Sequence, residues 1–149
     1  MPQEIERKFL VKGEFKHLAI REIEITQGYL SVDHTRVIRL RFCNEKSFLT
    51  IKSPVKNARF ARNEWEYEIP FSEAEEIMNL CLPGRILKTR YVVPFGGHSF
   101  EVDVFHGRHE GLIIAELELT DEDEVFDRPD WLGEEVTGRP EYYNSSLIK

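Results

Sequence analysis

The chain has 149 residues, of which 41% are hydrophobic and 32% are charged, and its formal net charge is −7. This length fits one domain over residues 1–149, and the acidic balance argues against general nucleic-acid binding. No apolar run approaches the roughly 18 residues of a membrane-spanning helix, and we see no segment that would direct export. Cys43 and Cys81 lack metal-ligand spacing, which fits a reduced chain with two free thiols. Together, these features lead us to expect a cytoplasmic protein without a membrane partner.

Alternation of apolar and polar residues predicts eight strands and few helices. The strands are expected at residues 2–11, 23–32, 36–43, 46–52, 63–70, 86–95, 98–105 and 112–120. Ser72 and Glu75 form a capping-box pattern, which predicts a helix from Ser72 to Leu82, ahead of a Pro-Gly pair. Shorter helical segments are expected at residues 14–20, after Asp121 and at residues 140–147.

One face of nearly every predicted strand is charged, and the other face is apolar. Glu4, Glu6 and Lys8 share a face of the first strand, because successive side chains of a strand point to opposite sides. Two carboxylates about 7 Å apart along a strand repel each other unless cations, basic groups or water compensate them. The same arrangement returns on six later strands, at Arg39 and Arg41, Lys52, Glu64, Glu66 and Glu68, Lys88 and Arg90, Glu101 and Asp103, and Glu116 and Glu118.

These positions give the polar face nine acidic and six basic groups, a balance of −3 that two divalent cations would bring to +1. An ordinary antiparallel sheet with one solvated face explains any single strand. Seven strands with paired like charges favour a different interpretation, because an eight-stranded sheet can close on itself and enclose one face. We therefore predict a mainly β, α+β fold: a closed eight-stranded antiparallel barrel with flanking helices and a charged tunnel.

Clustered carboxylates beside clustered basic groups suit a metal-complexed polyphosphate. Guanidinium groups match phosphate oxygens in a bidentate fork, and Mg²⁺ or Mn²⁺ takes oxygen ligands from carboxylates, water and phosphates. Phosphoryl transfer asks a protein mainly for positioning and electrostatics, so the chemistry requires no Ser, Cys or His nucleophile.

The segment Glu4-Ile5-Glu6-Arg7-Lys8 resembles the ExExK motif of the CYTH superfamily, also called the triphosphate tunnel metalloenzymes. The resemblance covers essentially the whole chain. It continues through Arg39-Leu40-Arg41, Thr50-Ile51-Lys52-Ser53, Glu64-Trp65-Glu66-Tyr67-Glu68, Lys88-Thr89-Arg90-Tyr91, Glu101-Val102-Asp103 and Glu116-Leu117-Glu118. Similarity to the compact bacterial members implies a triphosphatase dependent on Mg²⁺ or Mn²⁺. Its small-molecule substrate is then inorganic tripolyphosphate, cleaved at the terminal phosphoanhydride by a metal-activated water.

The same resemblance implies roles for individual residues. It implies metal ligands at Glu4, Glu6, Glu116 and Glu118, with Glu64, Glu66 and Asp103 around a second metal or its waters. It implies phosphate contacts at Arg39, Arg41, Lys52, Lys88 and Arg90. Lys8 is either a phosphate ligand or the group that orients the attacking water, and Tyr29 matches a tyrosine that could pair with it. Glu68 and Glu101 are either part of the site or solvated charges at its rim.

Other functions stay open. Within the same fold, a class IV-type adenylate cyclase or a thiamine triphosphatase would need a site for an organic group that the sequence does not reveal. A non-catalytic polyphosphate-binding module would share the basic cluster without needing so many paired carboxylates. Exposed sheet edges could also pair two copies into a homodimer, although the sequence identifies no interface.

Overall fold

The computed structural model describes residues 3–148, and their strands form one antiparallel sheet that curves around a central cavity. The strands are β1 (Gln3–Val11), β2 (Arg21–Asp33), β3 (Arg36–Cys43), β4 (Lys46–Pro54), β5 (Ala61–Glu68), β6 (Ile86–Phe95), β7 (His98–Phe105), β8 (Ile113–Leu119) and β9 (Leu132–Glu135). The first eight match the predicted strands within a few residues at each end. Residue 2, the predicted start of the first strand, lies outside the described residues.

These eight strands close into a barrel, as the charge pattern predicts. Neighbouring strands pair in the order β5-β4-β3-β2-β6-β7-β8-β1, and β1 returns to β5. This last contact, here called the β1–β5 seam, consists of three residue pairs between residues 3–5 and residues 61–63. Further along β1, at Phe9 and Val11, β9 takes the place of β5 as the pairing partner.

The sequence does not predict β9, which is too short to show a clear alternation. Gly133 allows its close approach to β1, because a Cβ at that position would lie 2.8 Å from the carbonyl oxygen of Leu10. Arg7 also fixes the strand by donating two hydrogen bonds to the carboxylate of Glu135, at 2.7 and 2.6 Å. The ninth strand therefore extends the wall beyond the point where β5 diverges from β1.

Most apolar side chains of the strands lie outside the barrel, where other segments cover them. Over β1, β7 and β8, buried outer side chains such as Leu117 pack with Phe15 and Trp131. On the opposite side, Leu40 of β3 packs against Ala74 and Met78 of the helix α1 (Phe71–Met78). The helix therefore covers the apolar outer face of the sheet, as the sequence predicts.

The helix is shorter than predicted, and the prediction of a capping box is wrong. Ser47 ties the preceding residue Ile69 to β4, because its hydroxyl donates to the Ile69 carbonyl and its own carbonyl accepts from the Ile69 amide. The helix then begins at Phe71 with Pro70 at the N-cap and no side-chain cap, so Ser72 already lies inside the first turn. It ends at Met78 rather than Leu82, whose amide donates to the Tyr29 carbonyl of β2 at 2.8 Å.

The other predicted helical segments form shorter structures. Residues 14–20 contain only a three-residue 3-10 turn, Lys16–Leu18, and the residues after Asp121 form a turn. Within residues 3–148, no helix has the length and apolar character needed to cross a membrane.

Residues 140–148, here called the C-terminal plug, enter one end of the barrel. They form two 3-10 turns, Pro140–Tyr142 and Asn144–Ser146, where the sequence predicts a helical turn. Ile148 packs among the inward-facing side chains Tyr29, Ile86, Phe105 and Ile114. The interior is therefore apolar and filled at this end of the barrel, and charged along the rest of its length.

Candidate functional site

A cavity of about 830 Å³ occupies the interior of the barrel. Twelve of the fourteen predicted site residues line it: Glu4, Glu6, Lys8, Tyr29, Arg39, Arg41, Lys52, Glu64, Glu66, Arg90, Glu116 and Glu118. Lys88 and Asp103 do not line it, and of the two predicted rim residues only Glu101 does. Exposed side chains such as Glu66 and Glu118 lie at one end, and Tyr143, Asn144 and Ser145 of the C-terminal plug lie at the other.

The register of the strands decides which charges meet. Between β1 and β8, Glu6 lies opposite Glu118 and Lys8 lies opposite Glu116. Because directly opposed residues have Cβ atoms about 5 Å apart, this ladder places a carboxylate pair beside an ion pair. The charged residues that alternate along each strand are thus brought into contact across neighbouring strands.

The carboxylates around β1 are only partly neutralised by the protein. Lys52 donates to both oxygens of Glu4 at 3.0 Å and lies 3.4 Å from Glu64. Burial and the neighbouring carboxylates Glu116 and Glu4 raise the pKa of Glu6 to about 8. Burial, together with Glu4, also raises the pKa values of Glu64 and Glu118. This side of the cavity therefore favours the arrival of additional positive charge.

A divalent cation fits the chemistry of this donor set. Within residues 3–148, no three acidic, histidine or cysteine side chains converge on a point that could hold a metal ion. Mg²⁺ typically binds one or two protein carboxylates and completes its coordination with water and substrate phosphates. The raised pKa of Glu6 indicates that such a cation would relieve an existing repulsion. These residues are therefore suited to a metal that binds together with phosphate oxygens.

Two arginines of β3 form a positively charged surface inside the cavity. Arg39 donates to Thr50 at 3.2 Å, but its buried Nε has no hydrogen-bond partner. Arg41 donates through Nε to the side-chain oxygen of Gln27 at 3.0 Å. In the part of the chain that the structure describes, neither guanidinium forms an ion pair with a carboxylate. Burial and the nearby Arg39 and Arg90 lower the pKa of Arg41 to about 10, so this surface favours an anion.

A second group of charges, of which only Arg90 lines the cavity, is buried and paired within the protein. Asp103 accepts hydrogen bonds from Arg90 at 2.8 and 3.0 Å and lies 2.7 Å from the Lys88 ammonium. The Lys88 and Asp103 side chains are 0% and 1% exposed. Burial lowers the pKa of Lys88 to about 7 although Asp103 opposes the shift. Asp103 is thus the counter-ion of two cations in this structure, and its predicted role as a metal ligand stays a prediction.

Lys8 lies between the acidic group and the C-terminal plug. Its ammonium is 3.4 Å from Glu116 and 5.7 Å from the centre of the Tyr143 ring. Burial works against its charge, but Glu116 and Glu6 raise the pKa of Lys8 above its usual value. The hydroxyl of Tyr29 accepts a hydrogen bond from Gln27 at 3.0 Å rather than from Lys8. Lys8 is therefore a cation at neutral pH, which suits a phosphate ligand better than a base.

Sequence reasoning missed Tyr143 and Asn144, which line the cavity, and Gln27, which is buried and holds Arg41 from behind. Gln27 shares a face with Ile25 and Tyr29, so a polar side chain on the inner face of β2 was the available signal. Tyr143 and Asn144 reach the cavity only because the C-terminal plug enters the barrel. No local pattern in the sequence carries that information.

The chain is similar to known proteins in both sequence and fold. The sequence model of the CYTH domain family matches residues 2–148. An inorganic triphosphatase of Acetivibrio thermocellus is 48% identical over 100% of this chain and 95% of its own length. An inorganic triphosphatase of Nitrosomonas europaea is 36% identical, covering 97% of this chain and 95% of its own. A crystal structure of an inorganic triphosphatase, 35% identical, gives a TM-score of 0.65 and covers 97% of this chain and 96% of that one.

Proposed function

Because this chain belongs to the CYTH domain family, we propose that it is a metal-dependent inorganic triphosphatase that cleaves the terminal phosphoanhydride of tripolyphosphate. The observation that carries this proposal is the division of charge inside the cavity. Arg39 and Arg41 present positive charge that no carboxylate of the described chain neutralises, whereas Glu6 lies among crowded carboxylates. A polyphosphate complexed with a divalent cation satisfies both surfaces with one ligand.

The basic residues bind and orient the phosphates. Arg39 has an unpartnered Nε, and the Arg41 guanidinium is held at only one nitrogen by Gln27, so both retain N–H groups that can donate to phosphate oxygens. Lys8, charged at neutral pH, is placed to bind a phosphate oxygen next to the acidic group. Lys52 already holds Glu4, which links the phosphate-binding residues to the proposed metal ligands.

The carboxylates supply the cation-binding side of the site. We propose Glu4, Glu6, Glu116 and Glu118 as principal ligands for Mg²⁺ or Mn²⁺, with Glu64 and Glu66 near a second ion or its waters. When bound there, a divalent cation would lower the pKa of the attacking water and offset charge on the phosphates. Burial of the cavity strengthens each of these interactions relative to water.

The direct test measures phosphate release by the purified protein from tripolyphosphate, ATP and thiamine triphosphate, each with Mg²⁺ and with Mn²⁺. We expect rapid release from tripolyphosphate, none after addition of a chelator, and weaker activity on the organic triphosphates. Production of cyclic AMP from ATP would instead support the adenylate cyclase alternative. A folded protein that is inactive on all three substrates would contradict the proposal.

Glu116→Gln separates an enzyme from a non-catalytic polyphosphate-binding module. The variant preserves the shape of the side chain and removes one charge from the acidic group. We expect turnover to fall by at least a hundred-fold, while calorimetry with tripolyphosphate still detects binding through the basic residues. Glu68→Gln is the matched control, because Glu68 is exposed and does not line the cavity. Unchanged turnover in Glu116→Gln would reject Glu116 as a ligand.

The remaining expectations concern the cellular location and the binding partners of the protein. Cys43 and Cys81 are both free thiols, which supports the proposed reduced, cytoplasmic location. The absence of nucleic-acid and membrane partners and the formation of a homodimer stay predictions.

A further inference from the structure

We propose that the C-terminal plug is part of the phosphate-binding site, and that Asn144 is a positioning residue that orients Arg41 through Gln27. The inference rests on the proposed function for its substrate, tripolyphosphate. Its first readout requires no turnover, so the two proposals can fail separately.

A chain of side-chain hydrogen bonds connects the plug to the arginine. The Asn144 side-chain oxygen accepts from the Lys88 ammonium at 2.8 Å and from the Gln27 amide at 3.2 Å. The Gln27 oxygen in turn accepts from Arg41 Nε at 3.0 Å. Gln27 is completely buried, so solvent does not compete with these bonds.

The two cations at the ends of this chain fix its direction. A lysine ammonium and an arginine guanidinium can only donate hydrogen bonds, so Lys88, in its ion pair with Asp103, and Arg41 each require an oxygen. Asn144 therefore turns its oxygen to Lys88, and Gln27 offers that oxygen its NH₂ group and keeps its own oxygen for Arg41. Tyr29, the other neighbour of the Gln27 NH₂ group, cannot set this direction alone, because a hydroxyl both donates and accepts.

Two further contacts hold the plug at the site. The Tyr143 ring lies 5.7 Å from the Lys8 ammonium, within the range of a cation–π contact. Ile148 is buried among the apolar residues at the end of the barrel. Gly84 approaches it closely at φ +91°, where a Cβ would lie 2.0 Å from the Ile148 carbonyl oxygen. The segment is thus anchored on both sides of Asn144, and its side chain has a defined position.

The first measurement compares Asn144→Ala with the wild-type protein by nuclear magnetic resonance of the arginine Nε–Hε groups, without substrate. The Arg41 signal is assigned from its loss in Arg41→Lys. We expect Asn144→Ala to shift or broaden this signal, because the Gln27 amide can then rotate. Ser146→Ala is the matched control: Ser146 belongs to the same 3-10 turn but does not line the cavity. The control should leave the Arg41 signal in place.

The second measurement separates positioning from stability. Loss of a correctly oriented Arg41 should raise the KM for tripolyphosphate about ten-fold, equivalent to about 1.4 kcal/mol, and change kcat by less than about two-fold. A purely structural role would reduce the folded fraction, which lowers the apparent kcat and leaves KM unchanged. If Asn144→Ala does not fold, Asn144→Ser, which keeps a polar side chain too short to reach Lys88, is measured instead.

An unchanged Arg41 signal together with an unchanged KM in the folded variant would overturn the inference. If the wild-type protein releases no phosphate from tripolyphosphate, the proposed function fails. The Arg41 signal then decides the positioning role of Asn144 by itself.

Discussion

Replacing Asp103 with Asn tests whether this residue is a counter-ion, as the structure places it, or a metal ligand, as the family resemblance implies. The substitution keeps the size of the side chain and removes its charge. Asp103 accepts two hydrogen bonds from Arg90 and lies 2.7 Å from Lys88, and its side chain is 1% exposed. Asparagine would leave the buried Arg90, and Lys88 wherever it is protonated, with one fewer compensating charge.

The size of the effect follows from this burial. Removing one partner from a buried ion pair costs about 3–5 kcal/mol, because the remaining charge is left without compensation. For a domain of this length, each kcal/mol corresponds to about 2–4 °C in Tm, so we expect a decrease of about 6–20 °C. Glu116, 2.9 Å from Arg90, still partly compensates the charge, which favours the lower part of this range.

The difference in stability between wild type and Asp103→Asn should also depend on pH and decrease in acid. Burial opposes ionisation, yet Arg90 and Lys88 lower the pKa of Asp103 below its usual value. The stabilisation is therefore complete above the unfolded-state pKa of about 3.9 and is lost as pH falls through the lower folded-state value. Wild type and Asp103→Asn should differ most at about pH 5–6, where Asp103 is ionised and Lys88 is protonated, and converge in strong acid.

Urea denaturation without metal, followed by circular dichroism, measures this difference. Glu101→Gln is the matched control on the same strand, because Glu101 also pairs with Arg90, at 3.4 Å, but its side chain is 39% exposed. Such an exposed pair is worth about 0–1 kcal/mol. If Asp103→Asn is as stable as wild type but binds Mn²⁺ more weakly, the counter-ion argument is refuted and the metal-ligand role is supported.

Two further predictions concern the cation site and the outer core. Glu6 has a pKa of about 8 and must lose its proton to bind a cation, so Mn²⁺ affinity should rise from pH 6 to pH 8 and then level off. Calorimetry in two buffers should detect the released proton. A pH-independent affinity would exclude Glu6 as a ligand. Leu40→Ala should cost about 2–5 kcal/mol in unfolding free energy, because Leu40 is 0% exposed beneath the helix, while kcat per folded molecule is unchanged. Leu80→Ala, at a residue 74% exposed, is its control and should change stability by no more than about 0.5 kcal/mol. Loss of metal binding in a well-folded Leu40→Ala variant would contradict the separation of the outer core from the site.

The barrel could be predicted from sequence because its main signal is local. A strand shows its two faces in consecutive residues, and pairs such as Arg39 and Arg41 mark the inner face without reference to the rest of the chain. Seven strands with the same parity then require a shared charged surface. The charged strand residues that line the cavity were largely accessible to this reasoning for the same reason.

The features that escaped prediction depend on contacts between distant segments. Asn144 meets Lys88, 56 residues away in sequence, and Gln27, 117 residues away. Ser72 has the right residue type for a helix cap, but the bonds between Ser47 and Ile69 set where the helix begins. Sequence parity also placed Asp103 on the inner face, yet it could not reveal that Lys88 and Arg90 pair with the side chain and that it is buried.

The β1–β5 seam is a weakly paired part of the barrel wall. It holds three residue pairs, whereas the β2–β3 and β6–β7 ladders hold eight each. Beside it, the carboxylate of Glu122 accepts hydrogen bonds from the backbone amides of Arg59 and Phe60 at 2.7 and 2.6 Å. Because local opening costs least where the fewest interactions break, the circumference can widen along this seam while the remaining ladders stay intact.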